Sequence, residues 1–357
     1  MIRPHSTLVG ALAVALTIAG CAPDPPSPTP TASPSVTQSA EAPPSTTPTP
    51  SETSVDFTSG DPVLLHPPGE LGPAWEEVFA LPYGDDDGQL GTSQGGEGLE
   101  WGPSYGTQLP DGTWWFLDAA NFRLAHFDDG GGYLGDAPLP EEHLAQGEFF
   151  QWQSPQALAN GTVVLQSTTP DRPGLLRMSV DGAFSRVDMA GFVAVKATDG
   201  ATLFGFDEQG AGVAVDPADG AISPADGFTG QAGMRYSVEG EPGSLTVRLG
   251  GQRIVLPLEA AGYPGALPYP VVETATGTDG VLSLLVTGIV EVEPGTAVDT
   301  QALLRIDTAG KGTVEPVPML TSASDPGDGA RLGVRLGDER PWLMIVGDDA
   351  LTVYRRG

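Results

Sequence analysis

Short apolar runs that directly follow tight-turn dipeptides dominate the pattern of this chain from about residue 110 onward. A polar residue followed by glycine, placed before such a run, is typical of a tight turn between two β-strands. Successive pairs lie 49, 39 and 80 residues apart, which predicts a repeated unit of about 40 residues. The pairs are Asp111-Gly112, Asn160-Gly161, Asp199-Gly200 and Asp279-Gly280.

The interval of 80 residues spans two periods, so the repeat predicts one further turn near residue 239. Glu239-Gly240 stands there and is assigned as that turn. One more period after residue 279 reaches Asp328-Gly329, and the apolar run 341–346 follows it. Six units result from this count.

Each unit continues with further alternations of apolar run and turn. Second strands are predicted at 124–127, 175–180 and 303–307, and third strands at 184–187, 253–256 and 313–317. Three consecutive strands per unit of about 40 residues indicate the blades of a β-propeller. We therefore predict an all-β fold over residues 61–357, a β-propeller for which six blades are the favoured number. Seven blades remain open if residues 56–70 or the weak fourth unit hold more strands.

The last unit lacks an outer strand, because the sequence ends at Gly357 directly after the run 351–356. Residues 75–82 form a lone strand-like run ahead of the first unit. We expect this N-terminal strand to pair with the C-terminal blade, which would close the ring and leave no free sheet edge inside it.

The N-terminus has the pattern of an export signal. Arg3 precedes an apolar run of 13 residues, 8–20, which is too short to span a bilayer as a helix. The run ends in Ile18-Ala19-Gly20-Cys21, which resembles the bacterial lipobox. That resemblance implies cleavage of residues 1–20, acylation of Cys21 with fatty chains such as palmitate, and anchoring to the outer face of the cell membrane.

Residues 21–60 are rich in Pro, Ser and Thr and nearly free of large apolar side chains. Such a segment cannot bury enough surface to offset its ordering entropy, so we expect a disordered linker between the lipid and the propeller. The lipobox, the scarcity of lysine and this linker together resemble a surface lipoprotein of the actinobacterial type.

The first unit carries a more specific pattern than the others. Residues 109–128 read LPDGTWWFLDAANFRLAHFD, which resembles an NHL repeat. The resemblance implies a propeller, with Asp118 and Asn121 in a turn bonded to its own backbone, Arg123 tying neighbouring turns and Phe127 packed between sheets. It covers about 45 residues. The family includes protein-binding modules, extracellular sensors and lyases, so it does not assign a function.

The charge and cysteine content narrow the classes of partner. The chain holds 46 acidic and 16 basic residues, a formal net charge of -30, which disfavours nucleic acid and anionic lipid surfaces as partners. It has one cysteine, so it cannot form a disulfide within itself.

Catalytic chemistry has weak support in the sequence. His66, His126 and His143 are scattered through a linker, a strand and a connection, whereas the lyases among similar propellers use histidines from successive blades. No Gly-x-Ser-x-Gly, His-Glu-x-x-His or phosphate-loop motif occurs. Whether the chain is an enzyme stays open, with a non-enzyme favoured.

Two sets of residues are candidate binding sites. Asp85, Asp86 and Asp87 supply enough oxygens for Ca²⁺, but adjacent carboxylates point in different directions, so a plain turn is the favoured alternative. No other cofactor is expected. Exposed aromatic residues in connections could line a ligand surface: Trp101, Tyr105 and Trp152.

These observations favour an extracytoplasmic, membrane-anchored binding or scaffold module for protein or cell-wall ligands. A propeller enzyme of the lyase or hydrolase type, acting outside the membrane, is the alternative. A sensor that signals through a separate membrane protein is the third class.

Overall fold

In the part of the chain that the structure describes, the regular elements are β-strands and short 3₁₀ turns such as Gln231–Gly233. The computed structural model describes residues 52–67, 71–94, 100–101, 105–141, 152–167, 172–293, 296–317, 330–347 and 349–357. In this part of the chain no helix is long and apolar enough to cross a membrane. In chain order the strands are β1 Thr53–Asp56, β2 Val63–Leu65, β3 Trp75–Pro82, β4 Ser93–Gln94, β5 Glu100–Trp101, β6 Gly106–Gln108, β7 Trp114–Asp118, β8 Arg123–Phe127, β9 Tyr133–Pro138, β10 Trp152–Ala157, β11 Val163–Ser167, β12 Gly174–Met178, β13 Phe184–Asp188, β14 Val193–Thr198, β15 Leu203–Asp207, β16 Gly212–Val215, β17 Ile222–Pro224, β18 Phe228–Thr229, β19 Arg235–Glu241, β20 Ser244–Leu249, β21 Gln252–Ala260, β22 Tyr269–Thr276, β23 Leu282–Glu293, β24 Thr296–Ile306, β25 Lys311–Glu315, β26 Ala330–Val334, β27 Pro341–Val346 and β28 Ala350–Arg356.

The strands form six sheets that are the blades of a β-propeller, which confirms the predicted fold and blade number. Blades one, two and three are β6–β9, β10–β13 and β14–β17. Blade four is β18–β21 with β2 added, blade five is β22–β25 with β1 added, and blade six is β26–β28 with β3. A two-stranded ribbon, β4–β5, precedes blade one.

Ring closure by the N-terminal strand is confirmed. β3 pairs antiparallel with β28 and forms the outer strand of blade six, with Leu81 opposite Leu351 and Phe79 opposite Val353. Phe79 and Leu81 are buried while Ala80 and Pro82 between and after them are exposed. The alternation places one face of β3 against the core and leaves the other in solvent.

Each blade has four strands, one more than the three-strand repeat predicts. The additional strand is the innermost one of each sheet: β6, β10, β14, β18, β22 and β26. β6 and β18 have three and two residues, and β10 and β14 are irregular in register. In blades one, two, three and five the polar–glycine pair lies after the innermost strand, and the pair Asp328-Gly329 lies outside the described residues. The sequence pattern therefore identified the outer part of every blade and passed over the part that faces the centre.

The turn assigned to Glu239-Gly240 is wrong, because both residues lie inside β19. The hairpin between β19 and β20 turns instead at Pro242-Gly243, where Glu241 pairs with Ser244. Gly243 has φ +76°, the left-handed conformation that a two-residue hairpin requires and that glycine adopts without strain.

Residues 53–66, which we call the N-terminal arm, run along the outside of two blades. β1 lies antiparallel to β25 of blade five, and β2 lies parallel to β21 of blade four. Both strands extend existing sheets and do not form a seventh blade. β1 falls within residues 21–60, the segment assigned to the linker, so pairing with the propeller begins at Thr53.

The NHL-like turn of blade one connects distant segments. Asp118 is fully buried and accepts hydrogen bonds from the backbone N–H of Gly91, at 3.0 Å, and from Arg123 Nε, at 2.8 Å. Arg123 also donates to Asp136 and to the Gln89 carbonyl, as the resemblance implies. Asp118 bonds the backbone of another segment and not that of its own turn, which corrects the expectation for this side chain.

Candidate functional site

The innermost strands enclose a central cavity of about 640 Å³. All six blades contribute to its lining. Sites of this size, concave and mixed in polarity, are where proteins hold small ligands. Representative lining residues, one from each blade in order, are Gly106, Gln156, Lys196, Tyr236, Glu273 and Arg331.

Blade four widens the cavity on one side. Its innermost strand, β18, has two residues and pairs only with the beginning of β19, through Phe228 opposite Tyr236. The rest of β19 has no inner neighbour in its sheet, so Val238 and Gly240 line the cavity directly. The shortness of β18 therefore lets residues of β19 form part of the cavity lining.

An ion pair between two blades forms part of the lining. Arg331 of blade six donates to Glu273 of blade five at 2.7 Å, and the other oxygen of Glu273 accepts the Leu332 backbone N–H at 2.9 Å. The Arg331 guanidinium lies over the ring of Tyr105, 4.8 Å from its centre. A cation held above an aromatic face in this way is stabilised by the ring quadrupole. Tyr105, Arg331 and Glu273 thus join blades one, five and six at the cavity.

Lys196 projects from an irregularity in β14. Val195 pairs with Gly205 and Ala197 pairs with Phe204, so Lys196 is an extra residue with no partner across the sheet. Such a bulge re-aims a side chain that regular pleating would place elsewhere. Lys196 lines the cavity, and none of the described carboxylates forms an ion pair with it.

Buried amides hold the inner strands in register. Gln166 of blade two accepts the Val195 backbone N–H of blade three at 2.6 Å. Gln231 accepts the Gly337 backbone N–H at 2.7 Å and donates to the carbonyls of Thr276 and Arg335. These bonds join the inner parts of neighbouring blades, since Gln166 contacts blade three and Gln231 of blade four contacts segments of blades five and six.

Three aromatic residues form an aromatic wall of the cavity. Phe206, Phe228 and Tyr236 all line the cavity and contact one another edge to face, with ring centres 5.2 and 5.5 Å apart. Burial raises the pKa of Tyr236 from 10.0 to about 12, and the hydrogen bond between its hydroxyl and Thr274 acts in the opposite direction. Tyr236 is therefore a neutral wall residue at ordinary pH.

The candidate residues from the sequence fall in different places. Tyr105 lies at the cavity. Trp101 and Trp152 are strand residues of β5 and β10, and only their backbone is described. Cys21 lies outside the described residues.

The acidic run Asp85–Asp87 forms an exposed turn. The turn is held by reciprocal bonds between Asp86 and Gln89, at 3.1 Å each. Across the described segments, no three His, Cys, Asp or Glu side chains come together in a way that would hold a metal ion.

The two described histidines lie apart and have separate structural surroundings. His126 stacks on Trp115 with ring centres 4.1 Å apart, and burial lowers the pKa of its imidazole. His66 exchanges backbone hydrogen bonds with Gln301 at the end of the N-terminal arm. His143 lies outside the described residues.

Sequence reasoning missed the charged residues of the cavity: Lys196, Glu273 and Arg331. They lie on innermost strands, which the repeat pattern did not identify. One signal was present, since Lys196 is one of only two lysines in the sequence and interrupts an apolar run.

Comparison with solved structures finds propellers at low similarity. A streptogramin B lyase is 13% identical with a TM-score of 0.40, and the match covers 78% of this chain and 96% of that one. A putative exported protein from Bacteroides fragilis is 12% identical with a TM-score of 0.45, covering 83% and 99%. A calcium-binding protein, regucalcin, from Agrobacterium tumefaciens is 11% identical with a TM-score of 0.40, covering 82% and 96%. These values give no information on what this chain binds.

No curated protein matches the sequence. One family model does, over residues 73–356, which is most of the chain and spans all six blades. The chain therefore belongs to the family described as Domain of unknown function (DUF7485).

Proposed function

We propose that this protein is a lipid-anchored, extracytoplasmic binding module whose propeller holds a small cell-wall fragment or the end of a protein chain in its central cavity. The observation that carries the proposal is the convergence of all six blades on one cavity of about 640 Å³. The sequence around Cys21 supports the anchor, and the Pro/Ser/Thr-rich segment after it supports a spacer that holds the propeller away from the membrane.

The mixture of groups around the cavity supports binding of a ligand. Aromatic rings on one side give an apolar surface, and Lys196, Glu273 and Arg331 supply charge on strands of three different blades. Placed polar groups beside apolar side chains are typical of sites that orient a bound molecule. Tyr105 contributes in two ways, because it lines the cavity and its ring carries the Arg331 guanidinium.

Thermal unfolding of the full chain in detergent tests this function. Soluble cell-wall fragments and a panel of short peptides would be added separately, each at increasing concentration. A ligand that binds only the folded protein adds about 2.7 kcal/mol of stability at a concentration one hundred times its Kd. We expect at least one of these additions to raise the melting temperature of the wild-type protein.

Two variants test whether the ligand that raises the melting temperature binds in the cavity. Tyr105→Ala removes a cavity residue and is expected to reduce the ligand-induced rise, whereas Tyr263→Ala, in the connection between β21 and β22, is expected to keep it. Equal responses in both variants would place binding elsewhere. A melting temperature that stays constant with every fragment and peptide would overturn the proposed function.

A further inference from the structure

We propose that Lys196 binds a carboxylate of the ligand, so that the cavity selects small molecules or chain ends that carry an anionic group next to an apolar one. This inference rests on the proposed function, because it names the chemistry of the ligand in the same cavity. The geometry of β14, the charge balance of the lining and the position of the aromatic wall each support it.

The change of side-chain direction in β14 occurs at Lys196. Val193 and Val195 belong to the apolar cluster between blades two and three, whereas Ala197 belongs to the cluster between blades three and four. Regular pleating would keep residues 195 and 197 on the same face. The bulge shifts the alternation by one residue, and Lys196 occupies the extra position, exposed to the cavity and not packed between blades.

The charge of the cavity is opposite to that of the protein. Among the residues that the structure describes, the charged ones in its lining are Lys196, Arg331 and Glu273, two cations and one anion, while the whole chain has a formal net charge of -30. Field lines are concentrated in clefts with low-dielectric walls, so a net positive cavity in an acidic protein attracts anions locally. Anionic ligands are thereby directed to the centre and repelled from the remaining surface.

The two cationic side chains of the cavity differ in their ion pairs. Arg331 is bound to Glu273 at 2.7 Å and stacked on Tyr105, which fixes its position and offsets its charge. Lys196 forms no ion pair with any of the described carboxylates. An ammonium has three donors, and a carboxylate is a strong acceptor for such a charged group. Lys196 is consequently the cavity cation whose positive charge no described carboxylate neutralises, so it can bind a carboxylate of the ligand.

Aromatic residues line the same cavity as Lys196. Ala194, two residues before Lys196, pairs with Phe206 on the neighbouring strand, and Phe206 contacts Phe228. A ligand with its carboxylate at Lys196 would place adjoining apolar groups against these rings. Peptide-like acids fit this arrangement, and both D-amino-acid ends of cell-wall stems and C-termini of proteins have that chemistry.

Calorimetric titration of the full chain with four probes tests the inference. The probes are N-acetyl-D-alanyl-D-alanine and N-acetyl-L-phenylalanyl-L-alanine, each as the free acid and as the C-terminal amide. We expect the acid of one pair to bind at least about tenfold more tightly than its amide, a difference of about 1.4 kcal/mol. The pair that shows the difference identifies the source of the carboxylate.

Lys196→Gln is expected to bring the acid down to the affinity of the amide without changing the melting temperature of the free protein. Lys311→Gln is the matched control, because Lys311 is the other lysine and lies on β25 at the perimeter. Equal affinity of acid and amide, or an unchanged preference in Lys196→Gln, overturns this inference but leaves the proposed function standing. Absence of binding by all four probes overturns the inference too, and the thermal unfolding panel decides the proposed function separately.

Discussion

The indole Nε1 of Trp75 donates a hydrogen bond of 2.9 Å to the carboxylate of Glu315, 240 residues further along the chain. The same carboxylate accepts Arg356 Nε at 3.1 Å, and Arg356 lies directly opposite Trp75 in the closing pair β3–β28. Glu315 belongs to blade five, so one buried carboxylate holds both closing strands of blade six against the preceding blade.

Glu315→Gln is expected to destabilise the protein by about 2 kcal/mol. The substitution keeps the size of the side chain but removes the buried counter-charge of the Arg356 guanidinium, which is 13% exposed and keeps the 36% exposed Glu52 as a partner at 2.8 Å. Urea unfolding of the full chain measures the change. The matched control is Glu239→Gln, whose pair with Arg248 is 3.9 Å long and more than half exposed on both sides. Glu239→Gln should lower the free energy of unfolding by less than about 1 kcal/mol. Similar losses of stability in both variants would contradict a structural role for the buried carboxylate of Glu315.

The N-terminal arm is expected to stabilise the propeller through one face of β2. Leu65 is fully buried in the core cluster of blades four and five, whereas Leu64, its neighbour in the chain, is 42% exposed. Leu65→Ala should cost about 3 kcal/mol, from lost burial and the cavity left behind. Leu64→Ala should change the free energy of unfolding by less than about 0.5 kcal/mol. Equal effects in chemical denaturation would mean that β2 is not packed as described.

Stability at alkaline pH should depend on Tyr236. Burial raises the pKa of its phenol to about 12, so the folded protein keeps a proton that the unfolded chain releases near pH 10. The unfolded state then binds fewer protons, and stability falls as the pH rises from about 10 to about 12. By pH 11 the wild type should lose roughly 1.4 kcal/mol from this source.

Tyr236→Phe should remove this part of the pH dependence in urea unfolding at pH 9 and pH 11. Thr274→Val is the control, because it removes the hydrogen bond to the phenol and keeps the phenol itself. It should lower stability by about 1 kcal/mol at both pH values and retain the alkaline loss. A Tyr236→Phe protein with the wild-type pH dependence would show that another group is responsible.

Cys21→Ser is expected to release the protein from the membrane, because the hydroxyl cannot take the thioether-linked lipid that the lipobox resemblance implies. Fractionation of cells that express each form measures the membrane-bound share. Ser27→Ala, six residues further along, is expected to stay with the membrane fraction. Retention of Cys21→Ser on the membrane would refute anchoring through this residue.

Local signals in the sequence were sufficient to predict the outer strands of the blades. Asp111-Gly112 and Asp279-Gly280 mark turns because glycine adopts positive φ at little cost, and both glycines do so in the structure. The lone strand-like run 75–82 ahead of the first unit identified β3 as a strand that needs a partner. The same polar–glycine signal gave a wrong turn at Glu239-Gly240, because Gly240 lies inside β19. The preference of glycine for turns does not by itself specify its backbone conformation.

The sequence by itself predicted a ring of sheets that closes by pairing of the strand 75–82 with the last blade. Such a prediction is possible because turns and strand alternation depend on neighbouring residues. Only the tertiary structure decided which side chains meet at the centre. Lys196 reaches the cavity through a bulge, Val238 through the shortness of β18, and Arg331 through contact with Glu273 of another blade. Each of these depends on the register of strand pairing or on packing between blades, and the turn and alternation signals of the sequence specify neither.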